Sequence, residues 1–225
     1  MRPAVLVFDV NETLIDIDSL RPHFTRIFGD PAVLREWFGQ LVTYSMAITL
    51  AGRYTDFFTL GQSAMRMVAD IHGVAITAAD LDALADGMRT MPAHPDVEEG
   101  LTRLRDNGYR LVTLTNSPHA TGPTPLTNAG LAGYFEHQFT VGDQRVFKPA
   151  PQLYTGVAAH LGVAPNNCMM VAAHMWDTLG AQAAGFTGAL ITRPGNAVLR
   201  GPDVPQPTII ASDLLHLNTI LENQS

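Results

Sequence analysis

Five short stretches of the chain are apolar at successive positions, and most of the remainder follows a helical period. The stretches are residues 4–9, 110–115, 168–172, 188–192 and 208–210. Continuous apolar character, as opposed to alternation, predicts strands covered on both faces, the habit of a parallel sheet between helix layers. Helix-length segments separate them. Residues 95–107 carry Val97, Leu101 and Leu104 at helical spacing and end against Gly108. A second segment follows Pro151 with Leu153, Val157 and Leu161 and ends near Gly162, and a third follows Asp177 and ends near Gly185. Glycine at these places suits helix C-caps. Strand-helix alternation of this kind predicts a doubly wound α/β domain.

Residues 16–92 break the rhythm. They contain no convincing strand, and Phe38, Leu41, Val42, Met46 and Leu50 recur at helical spacing. The stretch from Asp80 to Asp86 reads as a further helix, with Thr77 as its N-cap. The expectation is an all-helical cap subdomain, residues 16–92, inserted into a core made of residues 1–15 and 93–225.

Composition narrows the function classes. With 225 residues, 46% of them hydrophobic, the chain can bury one large core beneath an inserted subdomain. The formal net charge of -7, without a basic patch, argues against nucleic acid as a partner. The single cysteine, Cys168, excludes an internal disulfide and sits in an apolar strand, where a thiol is inert. Asp9 interrupts the first apolar run before a signal-peptide core forms, and no run approaches the roughly 18–20 residues that span a bilayer. The expectation is a cytoplasmic protein without a membrane partner. Of the 14 basic residues only one is a lysine, Lys148.

Open parallel sheets bind ligands beyond the carboxyl ends of their strands. Four polar groups fall there. Asp9, in the run Phe8-Asp-Val-Asn-Glu-Thr13, can be a nucleophile, a metal ligand or a helix cap. Thr115 and Asn116 end the next strand and offer anion donors, or ordinary helix-start chemistry. Lys148 lies in a proline-stiffened loop ahead of Tyr154. His174, Trp176 and Asp177 close a further strand, where Asp177 can position a water or accept its proton. None is decisive alone; together, in this order at strand ends, they are a strong signal.

Asp9, Thr13, Thr115, Asn116, Lys148, Tyr154 and Asp177 resemble, in order and spacing, the haloacid dehalogenase superfamily, and within it the (S)-2-haloacid dehalogenase branch. The resemblance runs nearly the whole chain, through Trp37, Tyr44, Arg53, Tyr54 and Phe57 and on to Arg193, Gly195 and Asn196. It implies a Rossmann-like core with a helical cap, no metal or organic cofactor, and a homodimer through the cap. It implies roles as well. Asp9 would be the nucleophile that forms an ester, Thr13 would hold its carboxylate, and Thr115 and Asn116 would take the substrate anion and leaving group. Lys148 would neutralise the crowded carboxylates with Tyr154 in support, and Asp177 would orient or deprotonate the hydrolytic water. Phe57 and Trp176 would wall the substrate, with Asn11, Phe38 and His174 as further contacts.

The chain also departs from its relatives. Phosphatases of the superfamily place a second Asp two positions after the nucleophile; Asn11 stands there, and an amide is no general acid. Ala172, Ala173 and His174 are a poor donor set for Mg²⁺, which prefers oxygen. Against the dehalogenase pattern, Asn11 and Glu12 replace an aromatic and a glycine, Ala172 and His174 replace a polar pair, and Phe38 stands where the halide-binding arginine is expected. Arg35, Arg53, or His174 with Trp176, are the candidates to replace that arginine. The expected activity is hydrolytic dehalogenation of a small 2-haloalkanoic acid, releasing halide. A Mg²⁺-dependent phosphatase and a catalytically impaired binding homologue are the rival readings.

Overall fold

The computed structural model describes residues 3–119 and 122–223. Six parallel strands form one sheet in the order β3-β2-β1-β4-β5-β6. They are β1 (Val5–Phe8), β2 (Arg110–Thr115), β3 (His137–Thr140), β4 (Cys168–Ala172), β5 (Thr187–Ile191) and β6 (Ile209–Ala211). Strand β1 is central and wholly buried. Its register sets Phe8 beside Thr113 of β2 and Val171 of β4, so the three strands end side by side. The chain leaves β1 toward β2 and later returns to β4 on the other flank. That reversal opens a crevice just past Phe8, where a doubly wound sheet binds its ligand.

Five strands fall where continuous apolar runs predicted them, with ends within one residue. The sixth, β3, has no such run because it is an edge strand, half-buried at every position. Its one flank faces no neighbour, so burial did not select apolar residues along it.

Between β1 and β2 the chain is helical: a 3₁₀ turn at Ile17–Leu20, then α1 (Arg21–Phe28), α2 (Val33–Leu50), α3 (Phe57–His72) and α4 (Ala78–Thr90). The antiparallel bridge between Ile15 and Ala93 joins the points where the chain leaves and rejoins the sheet layer. Trp37 of α2 is fully buried and donates its indole N–H to the Gly61 carbonyl of α3 at 2.9 Å, which satisfies the one polar atom the packing would otherwise strand. Thr77 caps α4 reciprocally with Asp80, an arrangement worth about 1 kcal/mol.

Helix α5 (Val97–Asp106) returns to the sheet and packs on the last helix, which is numbered α9 below. The remaining helices are α6 (Pro125–Asn128), α7 (Pro151–Leu161), α8 (Met175–Ala183) and α9 (Leu214–Glu222). Gly100 is obligatory in the α5–α9 contact, since a Cβ there would lie 2.4 Å from that of Leu214. Helix α8 begins two residues ahead of Asp177, not after it, so Asp177 sits inside the first turn. Arg193, buried at the end of β5, fastens these parts: it forks onto Asp96 at 2.6 and 3.0 Å and reaches the Thr13 carbonyl at 3.0 and 3.1 Å. Cys168 is a buried free thiol whose pKa burial raises to about 11. Among the described residues, no helix is long and apolar enough to cross a membrane.

Candidate active site

Asp9 follows β1 directly, its backbone N–H continuing the sheet to the Val171 carbonyl at 3.0 Å. The backbone therefore fixes where its carboxylate stands. Oδ1 accepts from Lys148 Nζ at 2.8 Å; Oδ2 accepts from Thr13 Oγ1 at 2.8 Å and from His174 Nδ1 at 3.2 Å. Thr13 is itself oriented by the Ala173 N–H, which donates to its Oγ1 at 2.8 Å.

Lys148 is completely buried and has an acceptor for each of its three N–H bonds: Asp9, Asp177 Oδ2 at 2.5 Å and the Leu114 carbonyl at 2.9 Å. Its backbone N–H donates to Asn116 Oδ1 at 3.0 Å, which ties the end of β2 to the same loop. The second oxygen of Asp177 accepts from Tyr154 OH at 2.6 Å. Asp9, Thr13, Lys148, Tyr154 and Asp177 thus form one closed network.

Charge inside it is compensated. Burial alone would raise the Asp9 pKa, but the Lys148 ammonium and the His174 imidazolium hold it well below the usual carboxylate range. Burial opposes the Lys148 charge, and Asp177 and Asp9 more than restore it, so its pKa is raised. Burial, reinforced by Asp9, lifts Asp177 against the pull of Lys148. Tyr154 is pushed well up by burial and by Asp177, so it remains a donor.

A second chain of groups runs from the far side of Asp9. His174 Nε2 donates to Glu12 Oε2 at 2.6 Å. Burial disfavours the charged ring, yet hydrogen bonds to Asp9 and Glu12 raise its pKa to about 9. Burial likewise pushes Glu12 up, and His174 and Arg35 pull it below its ordinary value. Arg35 pairs with Glu12 Oε1, with Asp18 at 3.0 Å and with the Pro194 carbonyl at 3.0 Å. Glu12 has φ +64°, a left-handed conformation that a non-glycine residue adopts only at a cost of order 1–3 kcal/mol.

The crevice over Asp9 is lined by Asp9, Asn11, Phe38, Val42, Phe57, Asn116, His174 and Trp176. At about 10 Å³ it has room for roughly one water molecule. Phe38 and Phe57 come from the helical segment and close over the strand ends. Trp176 stacks on His174 with ring centres 4.8 Å apart. Thr115 lines a neighbouring cavity of about 510 Å³ instead, its hydroxyl accepting from the Ser117 N–H at 3.2 Å. Tyr154, Asp177 and Lys148 lie beneath the crevice, outside its walls. Arg35, a candidate for the displaced arginine, is turned to Glu12 and Asp18, and Arg53 is exposed on the surface. Glu12 is the participant that sequence reasoning passed over. Its one signal was a carboxylate at a position where the related proteins carry glycine. Among the described residues, no group of three or more His, Cys, Asp or Glu side chains is arranged to hold a metal ion.

Comparison with known proteins places the chain in a family. Residues 3–185 match the family of haloacid dehalogenase-like hydrolases. An (S)-2-haloacid dehalogenase of Pseudomonas putida is 26% identical over 221 residues, covering 97% of this chain and 96% of that protein. Haloacetate dehalogenase H-2 of Moraxella sp. (strain B) is 26% identical over 217 residues, 94% of this chain and 96% of its own. The solved structure of an L-2-haloacid dehalogenase of Xanthobacter autotrophicus, with chloropropionic acid covalently bound, superposes with a TM-score of 0.88 at 24% identity, covering 99% of this chain and 100% of that one. At that identity it speaks for the fold.

Proposed function

This chain belongs to the haloacid dehalogenase-like hydrolases, and from that membership and the site geometry we infer that it hydrolyses the carbon–halogen bond of a small 2-haloalkanoic acid. The observation that carries the reading is Asp9: a carboxylate facing the crevice, held ionised by two cations, and lacking the acidic partner two residues on that phosphoryl transfer needs.

The reaction proceeds as two displacements. One oxygen of Asp9 attacks the halogen-bearing carbon, the carbon–halogen bond breaks, halide leaves, and an aspartyl ester remains. Lys148 and His174 supply the positive field that lets a carboxylate approach an anionic substrate, and among buried side chains that field is stronger than in water. Phe38, Phe57 and Trp176 exclude water from the first displacement. Asn116, through its amide nitrogen, and Asn11 are the neutral donors for the substrate carboxylate and the departing halide. Water then attacks the carboxyl carbon of Asp9, releasing the 2-hydroxy acid and restoring the carboxylate.

Phe38, Phe57 and Trp176 crowd the space over Asp9, so haloacetates are the substrates expected to be favoured over longer acids. Where apolar walls meet the substrate's carbon chain, one added carbon commonly shifts kcat/KM by about 10–200-fold. Halide release is followed from chloro-, bromo- and fluoroacetate and from both enantiomers of 2-chloropropionate, with and without EDTA. Single turnover in ¹⁸O-water places the label in Asp9 first, because solvent oxygen enters the enzyme's carboxyl group. Label found only in the product, or phosphate release that depends on Mg²⁺ in place of halide release, is incompatible with this reading.

Several finer assignments accompany it. Residues 16–92 act as the cap over a core of residues 1–15 and 93–225, supported by the Ile15–Ala93 bridge at the junction. A homodimer through the cap draws support from Tyr44, Leu50 and Ile71, large apolar side chains exposed on α2 and α3. The acidic balance and the lone cysteine fit a cytoplasmic location.

A further inference from the structure

We propose that the cavity walled by β2, β3, α3 and α4 is a second ligand site, one that takes a neutral molecule with an apolar body and an oxygen-bearing polar end. It stands apart from the crevice over Asp9 and needs no step of the reaction assigned there.

Its floor follows from strand geometry. Alternate residues of a strand share a face, so Thr113 and Thr115 of β2 point the same way, as do Gln138 and Thr140 of β3. The parallel register sets Thr113 beside Gln138 and Thr115 beside Thr140. All four line the same cavity of about 510 Å³. They form a two-by-two polar block on a sheet whose next strand, β1, is wholly apolar and buried. Strand β2 is itself apolar at Leu111, Val112 and Leu114, so the two threonines interrupt a run that burial would otherwise fill with carbon.

Thr113 is the residue that asks for an occupant. It is fully buried, yet its hydroxyl has no hydrogen-bond partner among the described residues. A buried hydroxyl left unpaired weakens the fold, and a valine of nearly the same shape would carry no such penalty. The neighbouring hydroxyls are oriented toward donation. Thr115 Oγ1 already accepts from the Ser117 N–H at 3.2 Å, and Thr140 Oγ1 from the Gly142 N–H at 3.3 Å, which leaves each its own O–H to give. Gln138 adds a side-chain amide. Hydroxyl and amide donors gathered on one floor suit an oxygen acceptor.

Charge decides which acceptor. Arg89 of α4 and His119 also line the cavity, and each already meets a carboxylate: Arg89 that of Asp86, and His119 that of Asp143 at 2.9 Å. The floor itself carries no cation. A carboxylate set down on it would be buried without a counter-charge, whereas a hydroxyl or amide oxygen would be satisfied by the donors present. Above the floor the walls are apolar, with Val10, Phe58 and Leu126 among them. The volume lies within the roughly 300–1,000 Å³ usual for small-molecule pockets. An aryl or alkyl alcohol or amide has the required form. The crevice over Asp9, with Lys148 and His174 beside it, is built for the opposite, an anion.

The test compares 2-phenylethanol with phenylacetate, which share an apolar body and differ in the polar end. In methyl NMR titrations of the wild type, 2-phenylethanol shifts the resonances of Val10 and Leu126, and phenylacetate does so at least about tenfold more weakly. Thr113→Val keeps the shape of the side chain and removes the hydroxyl. It weakens 2-phenylethanol about fivefold, the loss of one hydrogen bond, and it raises the melting temperature of the unliganded protein. Four results overturn the proposal: no shift at Val10 and Leu126 up to the solubility of the alcohol, shifts confined to Phe38 and Phe57 of the catalytic crevice, equal affinity in Thr113→Val and the wild type, or phenylacetate bound as tightly as the alcohol. A Thr113→Val protein that melts lower does so too, because the hydroxyl would then serve the fold. If that variant fails to fold, Gln138→Leu on the half-buried edge strand carries the comparison: weaker binding of the alcohol supports the site, and unchanged binding removes it.

Discussion

Asp9→Asn yields a folded protein whose halide release falls on the order of 10⁴-fold or more, the scale reached when a covalent nucleophile is removed. The substitution keeps the shape of the side chain and its bonds to Thr13 and the sheet, so the loss reports chemistry and not collapse. A neutral amide cannot displace halide, and no other carboxylate borders the crevice among the described residues. The neutral amide takes an anion away from both Lys148 and His174, so the variant melts below the wild type while remaining folded. The measurement is halide release over hours at high enzyme concentration, with calorimetry beside it. Residual turnover above about a hundredth of wild type, two decades or more over that scale, would mean that water attacks the substrate directly.

Lys148→Met has the largest effect on stability. It keeps the stem and removes the ammonium, leaving Asp9 Oδ1, Asp177 Oδ2 and the Leu114 carbonyl without their donor. Breaking a buried charge pair by deleting one partner costs about 3–5 kcal/mol. The sign of the pH dependence follows. Without Lys148, burial raises the folded-state pKa of the two carboxyls above the unfolded value. Their contribution to stability is then present below about pH 4 and is lost as pH rises through the folded-state pKa. In the wild type Asp9 is depressed, so its contribution is present above that range and fades in acid. The gap between variant and wild type is therefore widest near neutrality and narrows toward acid. Urea unfolding at about pH 7 and about pH 5 reads it. A gap that is constant with pH would assign the loss to packing alone.

How much was legible in the sequence depends on the range of the interaction involved. Strands β1, β2, β4, β5 and β6 showed themselves because burial on both faces leaves an unbroken apolar run; β3, at an edge, left none. Asp9, Asn116, Lys148 and Asp177 stood out as polar residues at strand ends, and the Thr77 cap as a local pattern of three residues. The start of α8 was hidden because His174 caps it without a side-chain bond, being committed to Asp9 and Glu12 instead. The His174–Glu12 contact joins positions 162 residues apart, and no periodicity or spacing rule reaches that far. Arg35 had a suitable charge for the crevice, but Glu12, unread at the sequence level, draws it elsewhere. Local chemistry is written in neighbours; a relay across the sheet is written only in the fold.

The burial of the only lysine reaches beyond catalysis. With Lys148 fully enclosed, the folded chain presents no side-chain amine to solvent. Lysine-conjugating enzymes and reagents that read out modification of a lysine side chain find no target on its folded surface. Reaction at Lys148 requires the sheet and its cover to part, so the one residue that balances the active-site charge also serves as a chemical gauge of how often the molecule opens.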